Sequence, residues 1–145
     1  MKTISIKPLT DANISRIMEL DERFGSSWSP SFYASRIHQF SDLAYGAYED
    51  GKLIGFVLGK HNPDDTLVSR VVVDEAHEGK GIGTNLLKKL KESTPKPLTS
   101  TVRKHNTSSI KIHKKVGFIK LPEMYTYKDG TLGYKMRTKK RGWLL

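Results

Sequence analysis

Between residues 66 and 92 the chain changes character twice. TLVSRVVVD (66–74) is dense in β-branched residues and reads as a buried strand. Leu86, Leu87 and Leu90 make one apolar face with Lys88, Lys89 and Lys91 outward, the pattern of a surface helix. Between the two lies EGKGIG, Glu78 to Gly83. A glycine costs backbone entropy in any ordered element, so three so close together imply that something needs the backbone bare. A strand that turns through glycines into a helix presents unpaired N–H groups and a partial positive charge at the turn. A pyrophosphate rests on such an end when no side chain holds it away. Lys80 and Thr84 add a cation and a hydroxyl. The spacing is not GxxxxGK[ST], which leaves a P-loop poorly supported. It is not GxGxxG either: counted from Gly79 the third glycine falls on Thr84, and counted from Gly81 on Leu86, so a dinucleotide fingerprint is not expected. The competing reading is a glycine-rich loop that merely turns the chain.

The rest of the chain supplies a compatible order of elements. ISIKPL alternates as a first strand, and Thr10 or Asp11 caps a helix whose stripe is Ile14, Ile17, Met18 and Phe24. Ser29 and Pro30 stand at the N-cap and first position of a second helix. LAYGAYE and KLIGFVLGK flank Asp50-Gly51, a tight hairpin signal. His61 to Asp65 is a polar loop before the β-branched strand. Pro95 and Pro97 end the lysine-rich helix, and LTSTV reads as a strand. Asn106 caps a helix carrying Ile110, Ile112 and Val116, which Gly117 stops. Strands around MYTYK and LGYKM close the chain about Asp129-Gly130. The order is β-α-α-β-β-β-α-β-α-β-β, an α/β (α+β) domain with a mostly antiparallel sheet. The expected division is one domain over 1–138 and a basic tail over 139–145.

Charge narrows the partners. Net charge is +10, yet residues 1–75 carry 8 Lys+Arg against 11 Asp+Glu, while residues 76–145 carry 17 against 4. The cationic half begins at the glycine stretch and suits a phosphate, on a small cofactor or on nucleic acid. A solvated lysine-rich face is the plainer alternative. The 145 residues contain no cysteine, which excludes thiolate chemistry and disulfides and fits a reducing, cytoplasmic setting. MKTISIKPLTDANIS has no apolar core, so no secretory signal is expected, and no run is long enough for a membrane span. The five histidines lack metal-ligand spacing, so no metal is expected.

VVVDEAHEGKGIGTNLL followed by VRKHNTSSIKIHKKVGF resembles the GNAT superfamily of N-acetyltransferases. The first block is similar to that family's [Q/R]-x-x-G-x-[G/A] motif, with Gly81 and Gly83 at its glycines. The second is similar to N-x-x-[A/S]-x-x-[L/I]-Y-x-x-x-G-F, matched by Asn106, Ser109, Ile112, Gly117 and Phe118. The resemblance is specific over residues 71–118 and loose elsewhere. It implies a sheet with a V-shaped splay between two central parallel strands, helices on both faces, and acetyl-CoA as cosubstrate in the V. It also implies that backbone groups of Val71 and Val73 bond the pantetheine arm. The amides of Glu78, Gly79, Lys80, Gly81, Ile82, Gly83 and Thr84 would meet the pyrophosphate. Asn106, Ser109 and His113 would face the cofactor near the second helix. WSPSFYASRI and SRVVVDEAHEGKGIG look most like the subgroup that acetylates protein N-termini, including ribosomal-protein alanines.

Three positions depart from the pattern. Glu78 replaces the motif Gln or Arg, a repulsive neighbour for a pyrophosphate unless it turns away or pairs with Lys80. His113 replaces the signature tyrosine, which in the family often protonates the leaving thiolate; a histidine is a candidate general acid there. Thr101 stands where the N-terminal subgroup carries a glutamate base, and the base is unassigned among Asp64, Asp65, Asp74, Glu75, Glu123 and His61. Trp28 falls on the acceptor side, as do Tyr125, Tyr127 and Tyr134 on the last hairpin. The expected activity is transfer of acetyl to a primary amine by direct attack. A catalytically weak acyl-CoA-binding module and a basic nucleic-acid-binding protein are the alternatives. The acceptor stays open among a protein N-terminus, a lysine and a small polyamine. Dimers are common in the family, which keeps a homodimer among the expectations. The apolar Trp143-Leu144-Leu145 end is expected to dock on the domain, to dock on a partner subunit, or to be disordered.

Overall fold

A computed structural model describes residues 3–23 and 28–139. Its strands and helices follow the order read from the sequence: β1 (Ile4–Pro8), α1 (Ile14–Glu22), α2 (Pro30–Gln39), β2 (Ala44–Glu49), β3 (Lys52–His61), β4 (Thr66–Val73), α3 (Ile82–Glu92), β5 (Leu98–Arg103), α4 (Thr107–Val116), β6 (Ile119–Thr126) and β7 (Leu132–Arg137). Phe24 and the residues from 140 onward, including the apolar C-terminal triplet, lie outside the described residues.

The strands form one seven-stranded sheet in the order β1-β2-β3-β4-β5-β7-β6. Among the described residues only β4 and β5 run parallel. Helices cover both faces. On one side Ile17, Leu20, Tyr33 and Ile37 of α1 and α2 pack on Leu53, Phe56, Leu58 and Val72. On the other, Leu86, Leu87 and Leu90 of α3 and Ile110 and Val116 of α4 pack on Ile54, Val57, Val68 and Leu98. Strand β3 is buried on both faces, which is why LIGFVL is almost continuously apolar instead of alternating.

Local chemistry sets the ends. The Ser29 hydroxyl accepts from the Phe32 amide at 3.2 Å with Pro30 in the first turn of α2. The Asn106 side chain accepts from the Ser109 amide at 3.2 Å and starts α4. Strand β6 begins earlier than MYTYK suggests, at Ile119, and passes through Pro122. The proline is tolerated because β6 is an edge strand whose register shifts between Lys120 and Met124.

Two irregularities in β4 create the site. Opposite Leu58 and Gly59 of β3 stand Arg70 and Val68, so Ser69 is an extra residue, a β-bulge. And β4 pairs with β5 only at Thr66–Leu98 and Leu67–Thr99. Beyond these pairs the two strands run on to Val73 and Arg103 without bonding each other, which opens the V.

Candidate active site

A cavity of about 540 Å³ occupies the V. One wall is the glycine turn. The Asp74 amide donates to the Ile54 carbonyl at 2.8 Å and fixes the end of β4. His77, bonded to Asp74 at 3.1 Å and to Glu49 at 3.2 Å, braces the turn that follows. Gly79 and Gly81 adopt φ of +82° and +81°, a conformation other residues reach only with strain, and Gly81 is the N-cap of α3. A Cβ on either would meet nothing within 4 Å, so the surface above them is open. Gly83 is bare for a different reason: a Cβ there would stand 3.0 Å from the Ile112 side chain. The third glycine therefore lets α4 approach α3. The first-turn amides of α3 lack intrahelical partners and point out of the helix end with its positive dipole.

Val71, Val73, Glu78, Gly79, Gly81, Ile82, Gly83, Thr84, Asn106, Ser109 and His113 all border this cavity. Lys80 does not. It lines a small separate cleft with Ile4, Ile6, Ala47 and Asn85. The cations that do border the cavity are Arg23, Arg70, Arg103, Lys111 and Lys115. Glu78 is met by Arg23, not by Lys80: the Arg23 guanidinium bonds the Glu78 carboxylate and also donates to the Val73 carbonyl at 3.0 Å. The motif carboxylate is thus paired from the end of α1, by a guanidinium that also stands 3.6 Å from Glu75. Arg103 lies 4.0 Å over the Tyr127 ring and bonds Asp129 and Thr131.

His113 is 1% exposed, in edge contact with Phe118 at 4.7 Å between ring centres. Its Nδ1 lies 2.8 Å from the Ser109 carbonyl, which only accepts, so Nδ1 carries the proton and donates. Its Nε2 lies 2.9 Å from the Ser100 hydroxyl and, in the neutral ring, accepts from it. Burial pushes the His113 pKa below the usual 6.5, with the Ser109 carbonyl opposing part of that shift. The ring is accordingly neutral near pH 7.

None of the six residues considered for the base borders the cavity. Asp65 bonds Asn62 in the β3–β4 turn, His61 bonds Asp42, Glu123 bonds Lys135, and Asp74 bonds His77. Among the described residues the carboxylates that border it are Asp21 and Glu78. Asp21 is fully buried on α1. The Tyr33 hydroxyl donates to its Oδ2 at 2.5 Å and Arg70 Nε donates to the same oxygen at 3.2 Å. Sequence reasoning missed Asp21, Arg70, Ser100 and Lys115. For Asp21 a signal existed: it falls four residues after Ile17 on the buried stripe of α1, where an apolar residue is due.

The acetyltransferase (GNAT) family profile matches residues 14–118. The chain is 28% identical over 144 residues to the N-alpha-acetyltransferase RimI of Mycobacterium tuberculosis, covering 92% of this chain and 91% of that one. Its fold is similar to the ribosomal-protein-S18-alanine N-acetyltransferase of Escherichia coli, with TM-score 0.78, 21% identity and 99% of each chain covered. It is also similar to Ard1 of Thermoplasma volcanium, with TM-score 0.83, 19% identity, and 92% of this chain and 95% of that one covered. Glycine turn, V and paired sequence blocks thus converge, and the chain belongs to the acetyltransferase (GNAT) family.

Proposed function

We propose that this N-acetyltransferase acts on the α-amine of a peptide and that the amine attacks the acetyl thioester directly. The observation that carries the reading is the V itself. One continuous cavity joins the glycine turn on the α3 side to Asp21 and Arg70 on the α1 side, so donor and acceptor meet between β4 and β5. Similarity to RimI of Mycobacterium tuberculosis supports a peptide α-amine as acceptor. Acetyl-CoA supplies an activated acetyl group when bound. In this reading the pantetheine arm takes the place of a missing strand partner beside Val71 and Val73, which border the V. The amides at 79 and 81–84 hold the pyrophosphate, with Lys111 and Lys115 adding charge. Asn106 and Ser109 border the arm, while Glu78, paired with Arg23, stands at the rim and Lys80 faces the separate cleft.

His113 serves as the neutral partner that orients the Ser100 hydroxyl at the wall of the V. An imidazolium acid there would have to overcome the burial that keeps the ring neutral. A strong acid is not required, because a free thiol has a pKa near 8.5 and leaves as thiolate close to neutral pH.

Calorimetric titration with acetyl-CoA and coenzyme A, followed by mass spectrometry of peptides offered with free or blocked N-termini, tests the proposal. Micromolar binding and acetylation confined to the free α-amine is the expected result. Acetylation of lysine side chains in blocked peptides would overturn the α-amine assignment. Tight binding without turnover on any amine would favour a cofactor-binding module.

A further inference from the structure

The acceptor half of the cavity holds a guanidinium fixed on two sides and free on the third. Arg70 projects from β4 beside the Ser69 bulge toward α1 and α2. Its Nε is committed to the fully buried Asp21, which Tyr33 also holds. Its carbon centre lies 4.7 Å over the Trp28 ring. Its two terminal nitrogens, the fork of the guanidinium, make no hydrogen bond among the described residues, and the side chain is 30% exposed where it borders the cavity. A second guanidinium bonds the bulge residue beside it. Arg36 of α2 donates to Ser69 Oγ at 3.2 Å, lies 5.0 Å over the Phe32 ring, and has no carboxylate partner among the described residues.

We infer that Arg70 is a carboxylate-binding specificity residue of the acceptor site, so that preferred acceptors carry a carboxylate close to the reacting amine. This rests on the acetyl-transfer reading above. A planar fork with stem and stacking face immobilised matches a carboxylate bidentately and loses little entropy on binding it. Asp21 and Trp28 are positioning residues: they aim the fork. Arg70 borders the same cavity as the glycine turn, so the carboxylate it meets is an Asp or Glu side chain near the amino end of a peptide, or the α-carboxylate of a free amino acid.

The test offers the full chain and saturating acetyl-CoA a set of peptides that differ only at position 2, as Asp, Asn, Glu, Gln or Lys, together with free aspartate and alanine. For the unaltered protein the expected result is a kcat/KM at least about tenfold higher for Asp over Asn or Glu over Gln. Arg70→Gln is expected to lower the acidic peptides at least about tenfold more than their amides, mainly through KM. A purely structural role would lower both alike. Acetyl-CoA affinity and thermal unfolding report whether the variant folds; if it does not, Arg70→Lys keeps stem and charge without the fork and should halve the logarithm of the preference or more. Equal rates for acid and amide in the unaltered protein overturn the inference while leaving peptide acetylation standing. Turnover of free amino acids but of no peptide keeps the Arg70 site and overturns the peptide reading. No turnover on any member overturns both.

Discussion

His113 stands where the family motif has a tyrosine, and its two hydrogen bonds determine what it can do. The Ser109 carbonyl holds its proton on Nδ1 and Ser100 faces its Nε2. Because burial lowers its pKa below 6.5, the unfolded chain binds a proton near pH 6 that the native ring refuses. Native stability contributed by this site is therefore full above pH 6.5 and declines as the pH falls through 6.5 toward the native pKa. Ring-carbon NMR should show a titration midpoint below 6.5, and His113→Gln should flatten that part of the decline in Tm between pH 7 and 5. A midpoint at or above 6.5 would contradict a neutral His113. The residue's identity and place in the motif were legible in the sequence. Its tautomer was not, because that depends on Ser100, which reaches the ring only after β5 and α4 pack together. Asp21 was hidden for a similar reason: an acid on an apolar stripe reads as an interruption until Tyr33 and Arg70 arrive from other elements to bond it.

At the scale of elements, periodicity and caps did most of the work. Asn106 and Gly117 bracket α4 as their types demand, and the Asp50-Gly51 pair turns the β2–β3 hairpin. The bulge at Ser69 was invisible, since one extra residue in a β-branched run leaves the composition unchanged. It matters because it re-aims Arg70 and lets β4 diverge from β5. Asn106 is asked to do two jobs, as cap of α4 and as a wall of the cavity. Asn106→Ala should cost about 1 kcal/mol of stability as a lost cap. Asn106→Ser, which caps as well, should restore stability by thermal unfolding. If the side chain also touches the bound cofactor, acetyl-CoA affinity stays weakened in the Ser variant. Recovery of both together would mean that the asparagine only caps.

At the scale of the whole molecule, the lopsided charge resolves into a location. The cationic half contributes Arg103, Lys111 and Lys115 to the lining of the V. Phosphate binding there should weaken with ionic strength, because partly exposed charges are screened within about 8 Å at physiological salt. Calorimetric Kd values for coenzyme A between 50 mM and 500 mM salt should rise steadily, and Lys115→Gln should reduce that slope. A Kd independent of salt would assign the cofactor's grip to backbone amides alone. The element order and helix-on-both-faces architecture were readable from one sequence, since each follows from local pattern. The width of the V was not, being the product of a strand pairing that stops after two rungs.

That early stop has a mechanical meaning. A sheet resists shear through its ladder of hydrogen bonds, and here the central rung set is the shortest in the molecule's frame. The strands from β1 to β4 and those from β5 to β7 are two plates joined by a short seam and by the helix that arcs between them. A ligand that bonds the bare edges of both plates acts as a stitch. It draws its affinity from the same donors and acceptors that an ordinary sheet would spend on itself. Saturation at a hundredfold over Kd then stabilises the folded chain against unfolding by about 2.7 kcal/mol. On the proposed reading, the enzyme's most yielding line and its grip on the donor are one and the same cut through the fabric.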